Sequence, residues 1–314
     1  MAAIGKDILK ASTLLGLGRL VAIPTETVYG LAANALDTTA VAGIFRAKNR
    51  PTFDPLIIHT YSVDKAKEYV REFPIELEKL AKAFWPGPLT ILLPKKNVIP
   101  DLVTSGLDNV AVRIPNHPLT LQLLQQLNFP LAAPSANPFG YVSPTKPEHV
   151  NKQLGNEIDY ILDGGDCKVG IESTIVGIEN GKVCVYRLGG LSIEQIEKIA
   201  GKVELKINSS DNPTAPGQLK SHYAPMKKII IGNIRELLLH YKNSCVLNFG
   251  SEKFDVLTFN LSAKGDVTEA AANLFNGLRT LDESTAEVIL CDYLPEIGLG
   301  IAINDRLKRA AAEK

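Results

Sequence analysis

Cysteine is scarce and spaced against covalent or metal chemistry. Cys167, Cys184, Cys245 and Cys291 lie 17, 61 and 46 residues apart, with no C-x-x-C and no histidine at zinc-finger spacing. Free buried thiols in a reducing compartment are the expectation. An excess of either charge is also missing: Lys plus Arg and Asp plus Glu both number 34. No global field therefore pulls the chain towards nucleic acid, and any polyanion must be held locally. No apolar run approaches the roughly 20 residues that span a bilayer. The first 20 residues carry Lys6, Asp7, Lys10 and Arg19 without a cleavage-site pattern, so a cytoplasmic location is expected. There is no G-x-S-x-G elbow, and G16-L-G18 and G298-L-G300 are too short for a dinucleotide fingerprint.

What is present reads as an ordinary globular chain, 45% hydrophobic and 22% charged, with 314 residues available for two cores. Periodicity predicts helices over 6–17, from Asp37 or Thr38 to the approach of Pro51, over 74–84 and 117–127, and from Pro147 and Ser192. Strands are predicted over 20–24, 55–59, 89–94, 110–115, 130–134, 159–163, 174–178 and 182–187. The irregular alternation suggests an α/β domain with a twisted, mixed sheet. Residues 208–226 are rich in Ser, Asn, Pro and Gly and have no period, which makes them a linker. Beyond it, strands at 227–232, 244–250, 254–259 and 286–292 alternate with helices from Asn233 and Asp266 and a final helix. That pattern predicts a small Rossmann-like parallel α/β unit.

Polar groups collect at segment ends. Lys48 and Arg50 follow a helix, His59 ends a strand, Arg113 sits inside VAVRIP, and S135-A-N137 follows a buried strand. Singly, each has a plain structural reading. A cation pair at a helix C-terminus compensates the dipole. A lone strand-end histidine is a satisfied core group, and S173-T174 after a Gly-rich turn is a turn signature. A buried Arg113 needs an anion, either an internal carboxylate or one on a substrate. Taken together, these groups suit one pocket for a polyanion and an amino acid, because every phosphate oxygen needs a fixed donor.

The motifs PTETVYGL, K48-x-R50, S135-x-N137, ESTIV and YRLGG (186–190), followed by PGQLKSHYAP (216–225) and GLGIAINDRL (298–307), resemble the YrdC/Sua5 family of threonylcarbamoyl-AMP synthases. The last two motifs resemble its long, two-domain form; Gln218 departs from the Met of many relatives. The resemblance implies a YrdC-like catalytic domain over 1–207, a linker or lid over the active site at 208–226, and a Sua5 C-terminal domain over 227–314. It implies a nucleotidyltransferase that makes threonylcarbamoyl-AMP and pyrophosphate from L-threonine, bicarbonate and ATP, with Mg2+ accompanying ATP and no organic cofactor. The product serves t6A modification at position 37 of tRNAs that read ANN codons. A downstream TsaD-type t6A transferase complex receives it, so tRNA is an indirect partner. By motif, Lys48 and Arg50 are catalytic and hold ATP together with Asp54, Ser135, Asn137, Ser143, Arg187 and Tyr223. Thr27, His59, Arg113 and Ser173 surround threonine, and no protein metal ligand is implied.

Two other classes remain in view. YrdC-like domains also present a basic concavity suited to double-stranded RNA or tRNA, but the balanced charge and the lack of an aromatic-interleaved basic stripe weigh against it. A carbamoyl-transferring enzyme of hydrogenase maturation shares the domain type, yet no acylphosphatase-like or zinc-finger pattern precedes the domain here.

Overall fold

The computed structural model describes residues 1–207, 215–218 and 220–312. Eleven strands build one mixed sheet, with a separate four-stranded sheet in the C-terminal part. Across the large sheet the strands run Ala3–Gly5, Tyr160–Leu162, Val21–Ile23, Gly30–Asn34, Leu131–Ala132 and Ile57–His59. Asn109–Arg113, Leu89–Pro94, Thr174–Glu179, Lys182–Arg187 and Glu204–Leu205 complete it.

Register in the middle of this sheet aligns the polar strand ends. Ile57–His59 pairs in parallel with Asn109–Arg113, setting His59 opposite Arg113. Leu89–Pro94 is antiparallel to the same strand, with Thr90 opposite Arg113, and pairs in parallel with Thr174–Glu179. Four neighbouring strands thus present their polar end residues at one edge. A bridge between Gly30 and Ser135 brings the 135–137 turn to the same place.

Helix boundaries follow local chemistry. Asp7 caps Ile8–Gly16, and Asp37 accepts from the amides of Thr39 and Ala40 to start Thr38–Lys48. Asn49 ends that helix in the left-handed region at φ 50°, and Pro51 forbids its continuation, so Lys48 and Arg50 are delivered at a fixed corner. Ser192 and Gln195 form a capping box for Ile193–Ala200. That helix packs on Ile75–Phe84, within the first unit.

The second sheet is fully parallel, in the order Lys228–Ile231, Val288–Cys291, Ser244–Asn248, Thr258–Asn260. Helices Ile234–His240, Val267–Asp282 and Gly300–Ala311 accompany it. The strand expected over 254–259 begins only at Thr258, because Phe254 and Val256 pack with Ile234, Val246 and Leu290 instead of joining the ladder. Strands Ala3–Gly5, Gly30–Asn34 and Glu204–Leu205 and helices Val63–Tyr69 and Asp101–Thr104 were not expected from the sequence. One apolar core continues through both units, from Val28, Ile44 and Ile171 to Phe275, Leu278 and Ile303.

Candidate active site

The polar strand ends enclose a cavity of about 50 Å³. Its walls are Arg50, Ile57, His59, Arg113, Ser135, Glu172 and Arg187. Pro216, Gly217, His222 and Tyr223 from the described part of the linker line it as well. Of the linker expected over 208–226, residues 208–214 and 219 lie outside the described residues. Gln218 is buried and ties this segment to the first unit by donating to the carbonyls of Tyr186 and Lys206.

Six of the expected site residues therefore meet at one cavity: Arg50, His59, Arg113, Ser135, Arg187 and Tyr223. The other six stand behind it. Lys48, 1% exposed, donates through Nζ to the carbonyls of Ser135 (2.6 Å) and Asn137, so it holds the turn from beneath. Asn137 Nδ2 donates to the carbonyls of Pro138 and Tyr141, both at 2.8 Å. Asp54 is fully buried against Arg50, with Oδ2 2.9 Å from Nη2. Thr27 lies 2.8 Å from the Thr25 hydroxyl, Ser143 donates to Glu172 Oε1 at 2.6 Å, and Ser173 shares a 2.7 Å bond with Thr90.

Residues outside the sequence-based candidates complete the wall. Glu26 Oε1 lies 2.8 Å from Arg113 Nη2, so the arginine has an internal carboxylate as well as a face on the cavity. The pair lacks hydrogen-bond alignment, and Arg113 Nη2 keeps a donor with no acceptor. Glu172, in the motif read for its hydroxyls, lines the cavity itself. Arg306, from Gly300–Ala311, reaches Glu172 Oε2 at 3.2 Å through both Nε and Nη2. Glu26 and Glu172 are themselves members of the motifs PTETVYGL and ESTIV, whose signal in the sequence is their hydroxyls and not their carboxylates. Arg306 lies in the GLGIAINDRL motif (298–307), but nothing in the sequence shows that it reaches Glu172, 134 residues away.

Burial governs the charges. Desolvation pushes Lys48 well below its usual pKa, with Arg50 adding repulsion, and lowers Arg50 and Arg187. Desolvation raises Asp54 against the pull of Arg50, and lowers His59 to about 3 with Arg113 contributing. His222 is pressed well below its usual range by desolvation and then by Arg50 and Lys48. The cavity is thus a dry site with arginine cations and two neutral imidazoles, able to position an anion and a small polar molecule.

Fold and site together define a two-unit α/β protein with an arginine-lined cavity at the polar strand ends of its larger sheet. The family described as Telomere recombination (Sua5_yciO_yrdC) matches residues 13–189, and that described as Threonylcarbamoyl-AMP synthase, C-terminal domain, matches residues 191–312. A threonylcarbamoyl-AMP synthase of Pyrococcus abyssi is 43% identical, over 94% of this chain and 91% of its own length. One of Bacillus subtilis is 37% identical, over 97% and 93%. The crystal structure of P. abyssi Sua5 complexed with L-threonine superposes with a TM-score of 0.94 at 40% identity, covering 99% of this chain and 97% of that one. The chain belongs to the Sua5/YrdC family of threonylcarbamoyl-AMP synthases, in its two-domain form.

Proposed function

We propose that this chain is an L-threonylcarbamoyladenylate synthase, a nucleotidyltransferase forming threonylcarbamoyl-AMP, pyrophosphate and water from L-threonine, bicarbonate and ATP. The observation that carries the reading is the meeting of Arg50, Arg113 and Arg187 with His59 and Ser135 around one cavity. The L-threonine held by the P. abyssi protein supports the amino-acid half of it.

The neutral threonine amine attacks the carbon of bicarbonate to give the carbamate; the N–C bond forms as the C–OH bond breaks, and the amine's proton leaves with that hydroxyl as water, or, when CO2 reacts, with the hydroxide released by the preceding dehydration of bicarbonate. A carbamate oxygen then attacks the α-phosphorus, the bond to the β-phosphate's bridging oxygen breaks, and pyrophosphate leaves. Arg50 and Arg187 receive phosphate charge, with the Ser135 turn fixed by Lys48 and Asn137 behind it. Arg113, which lines the cavity while paired with Glu26, offers its guanidinium to the threonine carboxylate, and His59 lies beside it for the hydroxyl or amine. Positioning and charge neutralisation carry the catalysis. Mg2+ arriving with ATP would supply further neutralisation of phosphate charge beside Arg50 and Arg187.

A cavity of about 50 Å³ is too small for ATP, since nucleotide-sized ligands need several hundred Å³. The linker residues at the cavity must therefore withdraw for entry and return to keep water from the mixed anhydride. Because that product is labile, a TsaD-type transferase complex must accept it soon after release, in a cytoplasmic setting, and tRNA is met there. No helix among the described residues is long and apolar enough to cross a membrane.

The test is pyrophosphate release from ATP that depends on both threonine and bicarbonate, with serine as comparator. Arg50→Glu should abolish it. Arg113→Ala should raise the threonine KM by about tenfold or more while the ATP KM moves little. An Arg113 variant in which only the ATP constant moves would overturn that assignment, and near-normal release by Arg50→Glu would overturn the other.

A further inference from the structure

Three buried carboxylates of the first unit bear on the cavity: Glu172 lines it, while Glu26 and Asp54 pair with the lining arginines Arg113 and Arg50. Two are matched from within that unit, Glu26 by Arg113 and Asp54 by Arg50. Glu172 is matched from the other unit, by Arg306, whose side chain is wholly buried. The arrangement is fully engaged: Oε1 accepts from Ser143 Oγ, and Oε2 accepts from Arg306 Nε and Nη2. Arg306 also pairs with Asp305 through Nη1 at 3.1 Å and lies 5.2 Å from the Tyr223 ring.

The consequence appears at Arg187. Its guanidinium donates to the Ser173 carbonyl and hydroxyl, both at 3.0 Å, and to the Pro216 carbonyl at 3.3 Å. All three are neutral acceptors. Among the described residues no carboxylate lies within ion-pairing distance of Arg187, although Glu172 is near enough to act on it electrostatically. With Arg306 absent, Glu172 would be an unmatched buried anion on the cavity wall it shares with Arg187, which is already bonded to the adjacent Ser173 and would be drawn to it.

We propose that Arg306, from the last helix of the C-terminal unit, is a positioning residue of the anion site: it supplies the counter-charge of Glu172 and so leaves Arg187 free for the nucleotide's phosphates. The identity of that anion rests on the function proposed above; the charge arrangement does not. The C-terminal unit thereby gains a role in the chemistry of a cavity that its own strands never reach.

Calorimetric titration of the full chain with ATP, with inorganic pyrophosphate and with L-threonine tests this, with folding followed by circular dichroism. Arg306→Met should weaken ATP and pyrophosphate by about tenfold or more and threonine by less than about threefold. Glu172→Gln should bind both anions at least as tightly as the wild type. The double variant E172Q/R306M, with no stranded charge, should return to within about threefold of wild type. A merely structural role predicts no such rescue. The proposal is overturned if Arg306→Met binds ATP normally, or if the double variant stays as weak as Arg306→Met. Should Arg306→Met fail to fold, the double variant decides: anion binding more than about tenfold below wild type sinks the idea. Arginine-dependent pyrophosphate binding without threonine-dependent turnover in the wild type would leave this inference standing and remove the synthase reading.

Discussion

At His59 burial sets the charge. The residue is 2% exposed, its Nδ1 has no partner, and desolvation followed by Arg113 holds its pKa at about 3. Between the ordinary histidine value and pH 3, the unfolded chain takes up a proton that the folded chain refuses. Stability is therefore complete above about pH 6.5 and falls as pH drops through that window. The full shift corresponds to on the order of 5 kcal/mol. His59→Asn should flatten the fall in urea-unfolding free energy between pH 6.5 and 4, leaving the part due to the other histidines that burial lowers: His117, His149, lowered to about 4, and His222. An unchanged slope in the variant would show that the ring titrates normally. At this scale the sequence was informative about which residues matter and less about what they touch. Lys48 was recognisable from its spacing to Arg50, but its engagement with two backbone carbonyls depends on how deeply the corner is buried.

Elements were legible where a cap or a breaker marked them. Asp7, Asp37, Ser192, Asn233 and Asp266 each accept from an amide of the first helical turn. The strand Gly30–Asn34 has neither a β-branched residue nor alternation, and pairing with Val21–Ile23 and Leu131–Ala132 makes it a strand. The first glycine of the YRLGG motif serves a close approach of backbones. A Cβ at Gly189 would lie 2.3 Å from the Glu172 carbonyl oxygen and 2.4 Å from the Ser173 carbonyl carbon. Neither can yield without moving the segment that carries Glu172 and Ser173. Gly189→Ala should cost about 3 kcal/mol and weaken ATP binding with it. Gly181→Ala, at φ 75° with open space around it, should cost about 1 kcal/mol and leave binding alone. Equal melting temperatures for the two variants would refute the steric account.

Between the units the contacts are charged as well as apolar, and that decides how the molecule unfolds. Arg279, on Val267–Asp282, is buried and donates to the carbonyls of Ser143 (3.3 Å) and Val142 and to Gln153 Oε1 (2.9 Å). Tyr141 donates to Asp282 at 2.5 Å, and Tyr223 stacks on Phe275 at 5.7 Å. Linear sequence marks none of these pairs, because each joins residues brought together only when both sheets are built. Their partners in the first unit include the segment around Ser143, so opening the interface removes bonds from both sides. The two units should accordingly unfold as one. The chain's single tryptophan, Trp85, lies in the first unit and donates to the Leu89 carbonyl at 2.7 Å, so its fluorescence reports that unit alone. Far-UV circular dichroism reports both. In urea the two transitions should coincide for the wild type. Arg279→Met should lower both midpoints together, by an amount equivalent to about 2–3 kcal/mol, since buried carbonyls lose their donor. Separate wild-type midpoints would mean that the interface is too weak to couple the units, and that the arginines crossing it do not set the stability of the wall they support.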